Sequence, residues 1–166
     1  MKRVMVIGSP GSGKSIFSRK LCSVTKIPLY HLDNLYWNRD RTIVPKEEFL
    51  SRLFAAMSAD SWIIDGNYVS TMKLRLSACD TVFFFDLPTS VCLDGIRSRI
   101  GTARPDLPWV EHELDSEFEE YVRRFHTETR PAVVSNLAEF SHLKIEIFHS
   151  RGDADEYIEK IKNEQI

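Results

Sequence analysis

Cysteine is scarce in this chain and unpaired: Cys22, Cys79 and Cys92 form no Cys-x-x-Cys and leave an odd total. That argues against a disulfide framework and for a reduced, cytoplasmic protein. Long apolar runs are missing, so no segment reaches the roughly twenty residues that a membrane-spanning helix needs. The N-terminus passes from Met1-Lys2-Arg3 straight into Val4-Met5-Val6-Ile7, without the longer apolar stretch and small-residue cleavage site of a signal peptide. An excess of one charge is lacking too. Twenty-two Lys and Arg face 24 Asp and Glu, a formal net charge of −2. With no helix-turn-helix, zinc motif or long basic stripe, the chain is not built mainly to coat nucleic acid. Internal repeats and low-complexity tails are also absent. What remains is 166 residues, 43% hydrophobic and 28% charged. This is the composition of one globular domain over 1–166, large enough for a real core and an inserted lid.

What the chain does have is concentrated at Gly8-Ser9-Pro10-Gly11-Ser12-Gly13-Lys14-Ser15, a complete Gly-x-x-x-x-Gly-Lys-Ser directly behind an apolar strand. Glycines let backbone N–H groups converge on phosphate oxygens, the lysine meets the β- and γ-phosphates, and the serine hydroxyl can ligate Mg²⁺. The loop should open a helix over about 13–24, whose N-terminal dipole favours an anion and whose Ile16, Phe17 and Leu21 turn inward. Nucleoside-triphosphate binding follows. No Asn-Lys-x-Asp stretch is present, which weighs against a GTPase.

Further along, Ile27 to Leu32 reads as a second strand ending on Asp33. Tyr36, Trp37, Arg39 and Arg41 follow in a cluster of rings and cations. Pro45 suits the first turn of a helix carrying Phe49, Leu50, Leu53, Phe54 and Met57. Trp62-Ile63-Ile64 and Thr81 to Phe85 read as buried strands that stop at Asp65-Gly66 and at Asp86. A half-exposed edge strand is expected over 142–148, and a last helix capped by Asp153 with Glu156. Alternating strands and helices predict a three-layer α/β/α fold on a five-stranded parallel sheet, with ligands beyond the strands' carboxyl ends. Gly8, Asp33, Asp65 and Asp86 all fall there. Gly101, Pro105 and Pro108 mark a mobile segment before a helical run with Leu114, Phe118, Tyr121, Val122 and Phe125 on one face. Pro131 should interrupt or kink that run.

With these residues in place, the chain resembles the adenylate-kinase-like family of small P-loop kinases. It is most similar to the branch named topology modulation proteins, through His31-Leu32-Asp33, Asp65-Gly66-Asn67-Tyr68 and Arg130-Pro131. The resemblance implies ATP and Mg²⁺ as cofactors, a small-molecule phosphoryl acceptor, and a helical arginine-bearing lid over about 97–131 of nucleoside monophosphate kinase type. It implies an acceptor-binding region over about 33–60. Asp65 matches the aspartate near the Mg²⁺ shell, alongside Ser15. Asn67-Tyr68-Val69 stands where that family has Phe-Pro-Arg, so the arginine that grips an acceptor phosphate is missing unless Arg39, Arg41 or Arg75 replaces it. Arg99 resembles the arginine stacked on adenine, Arg104 a lid phosphate contact, and Arg123, Arg124 and Arg130 those that close over the transferring phosphoryl group.

The expected machinery is therefore the loop from Gly8 to Ile16 with Lys14 for the donor, and Asp33 as a general base or else a turn residue. Tyr36, Trp37, Arg39, Gly66, Asn67 and Arg75 would meet the acceptor, with Tyr36 and Trp37 stacking on a ring or simply packing. A hydroxyl acceptor profits from a positioned carboxylate, whereas a phosphate is already ionised at neutral pH. The resulting expectation is a monomeric ATP-dependent kinase acting on a nucleotide, nucleoside or other small acceptor. The alternative is a nucleotide-dependent regulatory or DNA-topology-modulating protein.

Overall fold

Five short segments, β1 (Arg3–Gly8), β2 (Leu29–His31), β3 (Trp62–Asp65), β4 (Thr81–Phe85) and β5 (Lys144–Phe148), pair in parallel in the order β2-β3-β1-β4-β5. The structure is a computed structural model that describes residues 1–164. Among them, the connecting helices are α1 (Lys14–Thr25), α2 (Leu32–Tyr36), α3 (Lys46–Met57), α4 (Met72–Leu76), α5 (Thr89–Ser98), α6 (Ser116–Arg124), α7 (Arg130–Glu139) and α8 (Arg151–Glu164). This is the three-layer parallel sandwich that the pattern predicts.

The two-residue period of a strand splits its side chains between two cores. Val4, Val6, Ile63, Phe83 and Phe85 face a layer with residues of α1, α5 and α8, while Met5, Ile7, Trp62, Ile64, Val82 and Phe84 face residues of α3, α4 and α7. Burial on both faces explains why β1, β3 and β4 read as unbroken apolar runs. Phe17 of α1 packs edge-on against Phe83 at 4.9 Å and against Phe148 at 5.3 Å, contacts worth about 0.5–1.5 kcal/mol each beyond area burial. They fix the helix whose N-terminus carries the phosphate loop.

Several local expectations are corrected. β2 ends at His31, and Leu32 opens α2 rather than closing a strand, because its side chain is fully buried against Gly66. Ile16 is 54% exposed, since in the first turn of α1 it faces the open cleft, while Phe17 and Leu21 do turn inward. The last helix is capped one turn earlier than predicted. Ser150 Oγ accepts from the Asp153 N–H at 3.1 Å and Asp153 Oδ2 from the Ser150 N–H at 3.0 Å, a reciprocal capping box. Pro131 lies in the first turn of α7, where it is tolerated. The break before it is a π-helical turn, Phe125–Thr129. β5 is the half-exposed edge strand expected, with Ile147 facing outward.

Candidate active site

The loop after β1 is clamped from beneath by α5. A Cβ on Gly11 would lie 2.0 Å from the Cys92 carbonyl, and one on Gly95 would lie 2.1 Å from the Gly11 carbonyl, so both positions must be glycine for backbone to meet backbone. Arg151, the first residue of α8, donates from Nη2 to the Gly11 carbonyl at 2.8 Å and from Nε to that of Ser12 at 3.4 Å. Held this way, the loop ends at Gly13, which caps α1 without a side chain, and the helix's first N–H groups have no intrahelical partner. Ser9 and Ser12 are buried. The Ser9 carbonyl lies 3.5 Å from Lys14 Nζ, and Ser12 Oγ has no partner. A cradle of donors beside an ammonium is what a polyphosphate requires.

Two cavities of about 390 and 400 Å³ meet at Lys14, Ser15, Arg99 and Asp106. The first, on the donor side, is bounded by Gly11, Gly13, Ile16, Arg19, Arg104 and Arg151. The second lies over the ends of β2 and β3 and is lined by Gly8, Pro10, His31, Asp33, Tyr36, Trp37, Asp65, Gly66, Asn67 and Tyr68, together with Phe118 and Tyr121 of α6.

Asp33 and Asp65 share the second cavity in contrasting states. Asp65 is buried, and burial opposes its ionisation. The hydrogen bond from His31 Nδ1 to Oδ2 at 2.7 Å and the nearby Lys14 ammonium outweigh that and hold its pKa below the ordinary carboxylate value. Its other oxygen, Oδ1, is buried with no hydrogen-bond partner, and Ser15 lies close enough to favour the charged form. Burial instead raises the pKa of Asp33, against a hydrogen bond from the Tyr68 hydroxyl to Oδ1 at 2.6 Å. The same contact and burial push the Tyr68 phenol pKa up.

A fully buried arginine holds Tyr68 in place. Arg75 donates from Nη1 to the Gly66 carbonyl at 2.9 Å, and from Nη2 to those of Asn67 at 2.6 Å and Tyr68 at 3.0 Å. It has no carboxylate partner among the described residues, and burial lowers its pKa to about 10. Its donors fasten a turn in which Gly66 has φ +138°, where a Cβ would strike Leu32 at 2.8 Å, and Tyr68 has φ +31°. Asn67 Oδ1 in turn accepts from the Gly8 N–H at 3.3 Å, joining this turn to the phosphate loop.

On the lid side, Arg99 borders both cavities, 3.3 Å from Glu111 and 5.4 Å from the Phe118 ring centroid. Burial and the neighbouring Arg104 lower its pKa. Arg104 bridges Asp106 at 2.8 Å and Glu111 at 3.0 Å. The irregular segment after α5 thus carries a small ion-pair network joining Arg99, Arg104, Asp106 and Glu111.

Other predicted residues fall elsewhere. Arg75 is buried outside the lining of the second cavity, not exposed in it. Arg39 lines a separate shallow groove beside Arg52 and Pro108, and Arg41 sits over Trp109. Arg123 and Arg124 lie on the outer face of α6, paired with Glu119 and Glu120 at i,i+4, each at 2.7 Å. That spacing is visible in the sequence and favours surface pairing. Arg130 lies outside both cavity linings and grips Asp86 at the end of β4 through Nε and Nη2, at 2.7 and 2.6 Å. Sequence reasoning missed Arg19, Gly95, Asp106 and Arg151. Each is an ordinary residue type whose role arises only where distant elements meet.

No protein-family model matches the chain, and no curated protein matches it. Solved structures do. The shikimate kinase of Acinetobacter baumannii in complex with shikimate aligns with a TM-score of 0.65 at 15% identity, covering 97% of this chain and 90% of that one. The shikimate kinase of Bacteroides thetaiotaomicron aligns at 0.61 and 15%, covering 98% and 97%. That of Aquifex aeolicus aligns at 0.52 and 18%, covering 98% and 95%. At such identities the likeness is one of fold, and the fold is the P-loop α/β architecture of these kinases. It lends nothing to the narrower likeness to topology modulation proteins. Among the described residues no helix is long and apolar enough to cross a membrane.

Proposed function

We propose that this chain is an ATP-dependent kinase that phosphorylates a hydroxyl group of a small molecule. The observation that carries the reading is the meeting of Lys14, Asp65 and Asp33 in one cavity beside the phosphate loop, with Asp33 fixed by Tyr68. The N–H groups of Gly11 to Ser15 and the Lys14 ammonium hold the triphosphate. Ser15 and the unpartnered oxygen of Asp65 suit Mg²⁺, which typically takes one or two protein ligands and completes its shell with phosphates and water. Among the described residues no cluster of three His, Cys, Asp or Glu forms a closed metal cage. When bound, the ion would offset charge on the phosphates.

Asp33 accepts the proton of the acceptor hydroxyl as its oxygen bonds to the γ-phosphorus and the bond to the β-phosphate oxygen breaks, releasing ADP. Arg99, at the junction of the two cavities, offsets charge on the transferring group. The segment from 97 to 131 acts as the lid that excludes water, and 33–60 contributes to the acceptor site. The chain works as a cytoplasmic monomer. The narrower likeness would add a nucleotide-dependent effect on DNA topology, but the cations that gather at the site, Lys14, Arg19, Arg99, Arg104 and Arg151, line the cavity that takes the triphosphate in this reading. Negligible, salt-insensitive DNA binding at low ionic strength is the expected result.

The test is ATP consumption with Mg²⁺ across nucleosides, nucleoside monophosphates and small alcohols. Lys14→Ala should abolish turnover without unfolding the chain. Asp33→Asn should lower kcat by about 10²-fold or more while ATP binding is retained. Tight ATP binding with no transfer to any acceptor would refute the kinase reading.

A further inference from the structure

Resting on that reading, we infer that the acceptor is an uncharged, ring-bearing alcohol of the nucleoside class rather than a carboxylate or a phosphate. An anion buried over the ends of β2 and β3 would need a cation of its own, because an unpaired buried charge is strongly disfavoured. The cavity supplies none. Its cationic or potentially cationic residues are Lys14, Arg99 and His31. Lys14 serves the donor's phosphates, Arg99, within ion-pair distance of Glu111 and over Phe118, serves the transferring phosphoryl group in the reaction above, and His31 is committed to Asp65. Of the arginines that could have substituted, Arg75 is taken by three backbone carbonyls and Arg130 by Asp86, while Arg39 and Arg41 lie outside the cavity lining, Arg39 in its separate groove and Arg41 over Trp109. Asp33, Asp65 and Asp106 line the same space, so an anionic acceptor would meet carboxylates.

What the cavity does supply is aromatic surface. Tyr36 is locked among Trp37 at 5.2 Å, Tyr68 at 4.9 Å and Phe49 at 5.3 Å, which makes one rigid wall. Phe118 and Tyr121 of α6 add further aromatic surface to the same lining, their rings stacked at 6.4 Å, and Tyr121 is 41% exposed. A flat heteroaromatic ring fits against such surfaces, since stacking tolerates any base. Besides Asp65 Oδ1 and Arg99 Nε, which face the Mg²⁺ and phosphoryl side in the reading above, the lining holds one more polar atom without a hydrogen-bond partner. Asn67 Oδ1 takes the Gly8 N–H, which leaves Nδ2 buried and without an acceptor. Buried donors of this kind call for a partner, and a ring carbonyl or ring nitrogen provides it. An ammonium-bearing alcohol, the other ligand that aromatic walls favour, would oppose this donor with its own. Ring, acceptor atom and hydroxyl together describe a nucleoside, and about 400 Å³ lies within the range of small-molecule sites.

The experiment measures γ-phosphoryl transfer by the full chain with Mg²⁺ and ATP to the common ribo- and deoxyribonucleosides, their 5′-monophosphates, shikimate and choline. Calorimetric binding of the same compounds is followed in the presence of a non-hydrolysable ATP analogue. One or more nucleosides should exceed their own monophosphates in kcat/KM by about 100-fold. Trp37→Ala should raise KM for that nucleoside about tenfold while kcat changes less than about threefold, as loss of a stacking surface predicts. A monophosphate, shikimate or choline that proves the better acceptor overturns the inference and leaves the kinase reading intact. Nucleosides that bind but are never phosphorylated sustain the ligand class and remove the kinase reading. Nucleosides that neither bind nor react overturn the inference.

Discussion

At the scale of single residues, the proposed chemistry turns on two aspartates whose surroundings push them apart. Asp65 is held ionised by His31 and Lys14, as a metal-side ligand should be. Asp33 is raised by burial and partly brought back by Tyr68, which places it nearer the range where a carboxylate can take up a proton in turnover. Because the Tyr68 hydrogen bond favours the charged form, Tyr68→Phe should raise the Asp33 pKa further. The acid limb of the kcat/KM profile should move to higher pH by the same amount, and a limb that stays where it was would show that Asp33 is not the titrating base. Asp65 was legible in the sequence as the end of a buried strand before Gly66, and Asp33 as the polar residue just past a shorter one, although it lies in the first turn of α2. The role of Arg75 was not. Nothing in Leu74-Arg75-Leu76 distinguishes an acceptor-binding arginine from one whose donors are consumed by carbonyls nine, eight and seven residues upstream. Arg75→Met, which strands those carbonyls, should lower stability by about 2–4 kcal/mol, measurable by denaturant unfolding.

At the scale of elements, strand period and the loop motif made the sheet readable, since buried parallel strands have a sequence signature that survives without tertiary knowledge. The lid was readable only as a helix with arginines. Which of them face the cleft depends on the azimuth of α6, and Arg123 and Arg124 land on its solvent side, where Glu119 and Glu120 wait one turn before them. Phe118 and Tyr121, assigned to packing by periodicity, are the residues that α6 presents to the cavity. Support for the loop comes from the crossing of α5 beneath it, set by Gly11 against Gly95. Gly95→Ala adds a methyl where 2.1 Å is available, so loop or helix must shift. Stability should fall by about 1–3 kcal/mol and ATP affinity by about tenfold or more, read by calorimetry. An unchanged affinity would mean that α5 does not set the loop.

At the scale of the whole molecule, the ion pair between Asp86 and Arg130 ties the end of the sheet to the start of α7. The Arg130 guanidinium holds the Asp86 carboxyl below its ordinary pKa. A depressed folded-state pKa contributes stability that is present above the unfolded value and lost as pH falls through the folded one. Arg130→Met should therefore be less stable than the parent at neutral pH, with the difference shrinking to nothing in acid. Equal stabilities across the range would show that the pair contributes no net stability. The family resemblance implies a place for Arg130 over the phosphoryl group; the structure pairs it with Asp86, and no pattern within either segment could announce that partner 44 residues away.

The most direct test of the account is to identify the bond made when the purified protein turns over Mg·ATP with its best acceptor, by ³¹P NMR of the product. The account predicts a phosphate monoester on a former hydroxyl, with formation slowed about 10²-fold or more by Asp33→Asn at unchanged ATP affinity. A phosphoanhydride on a nucleoside monophosphate, formed equally fast by the Asp33→Asn variant, would contradict it.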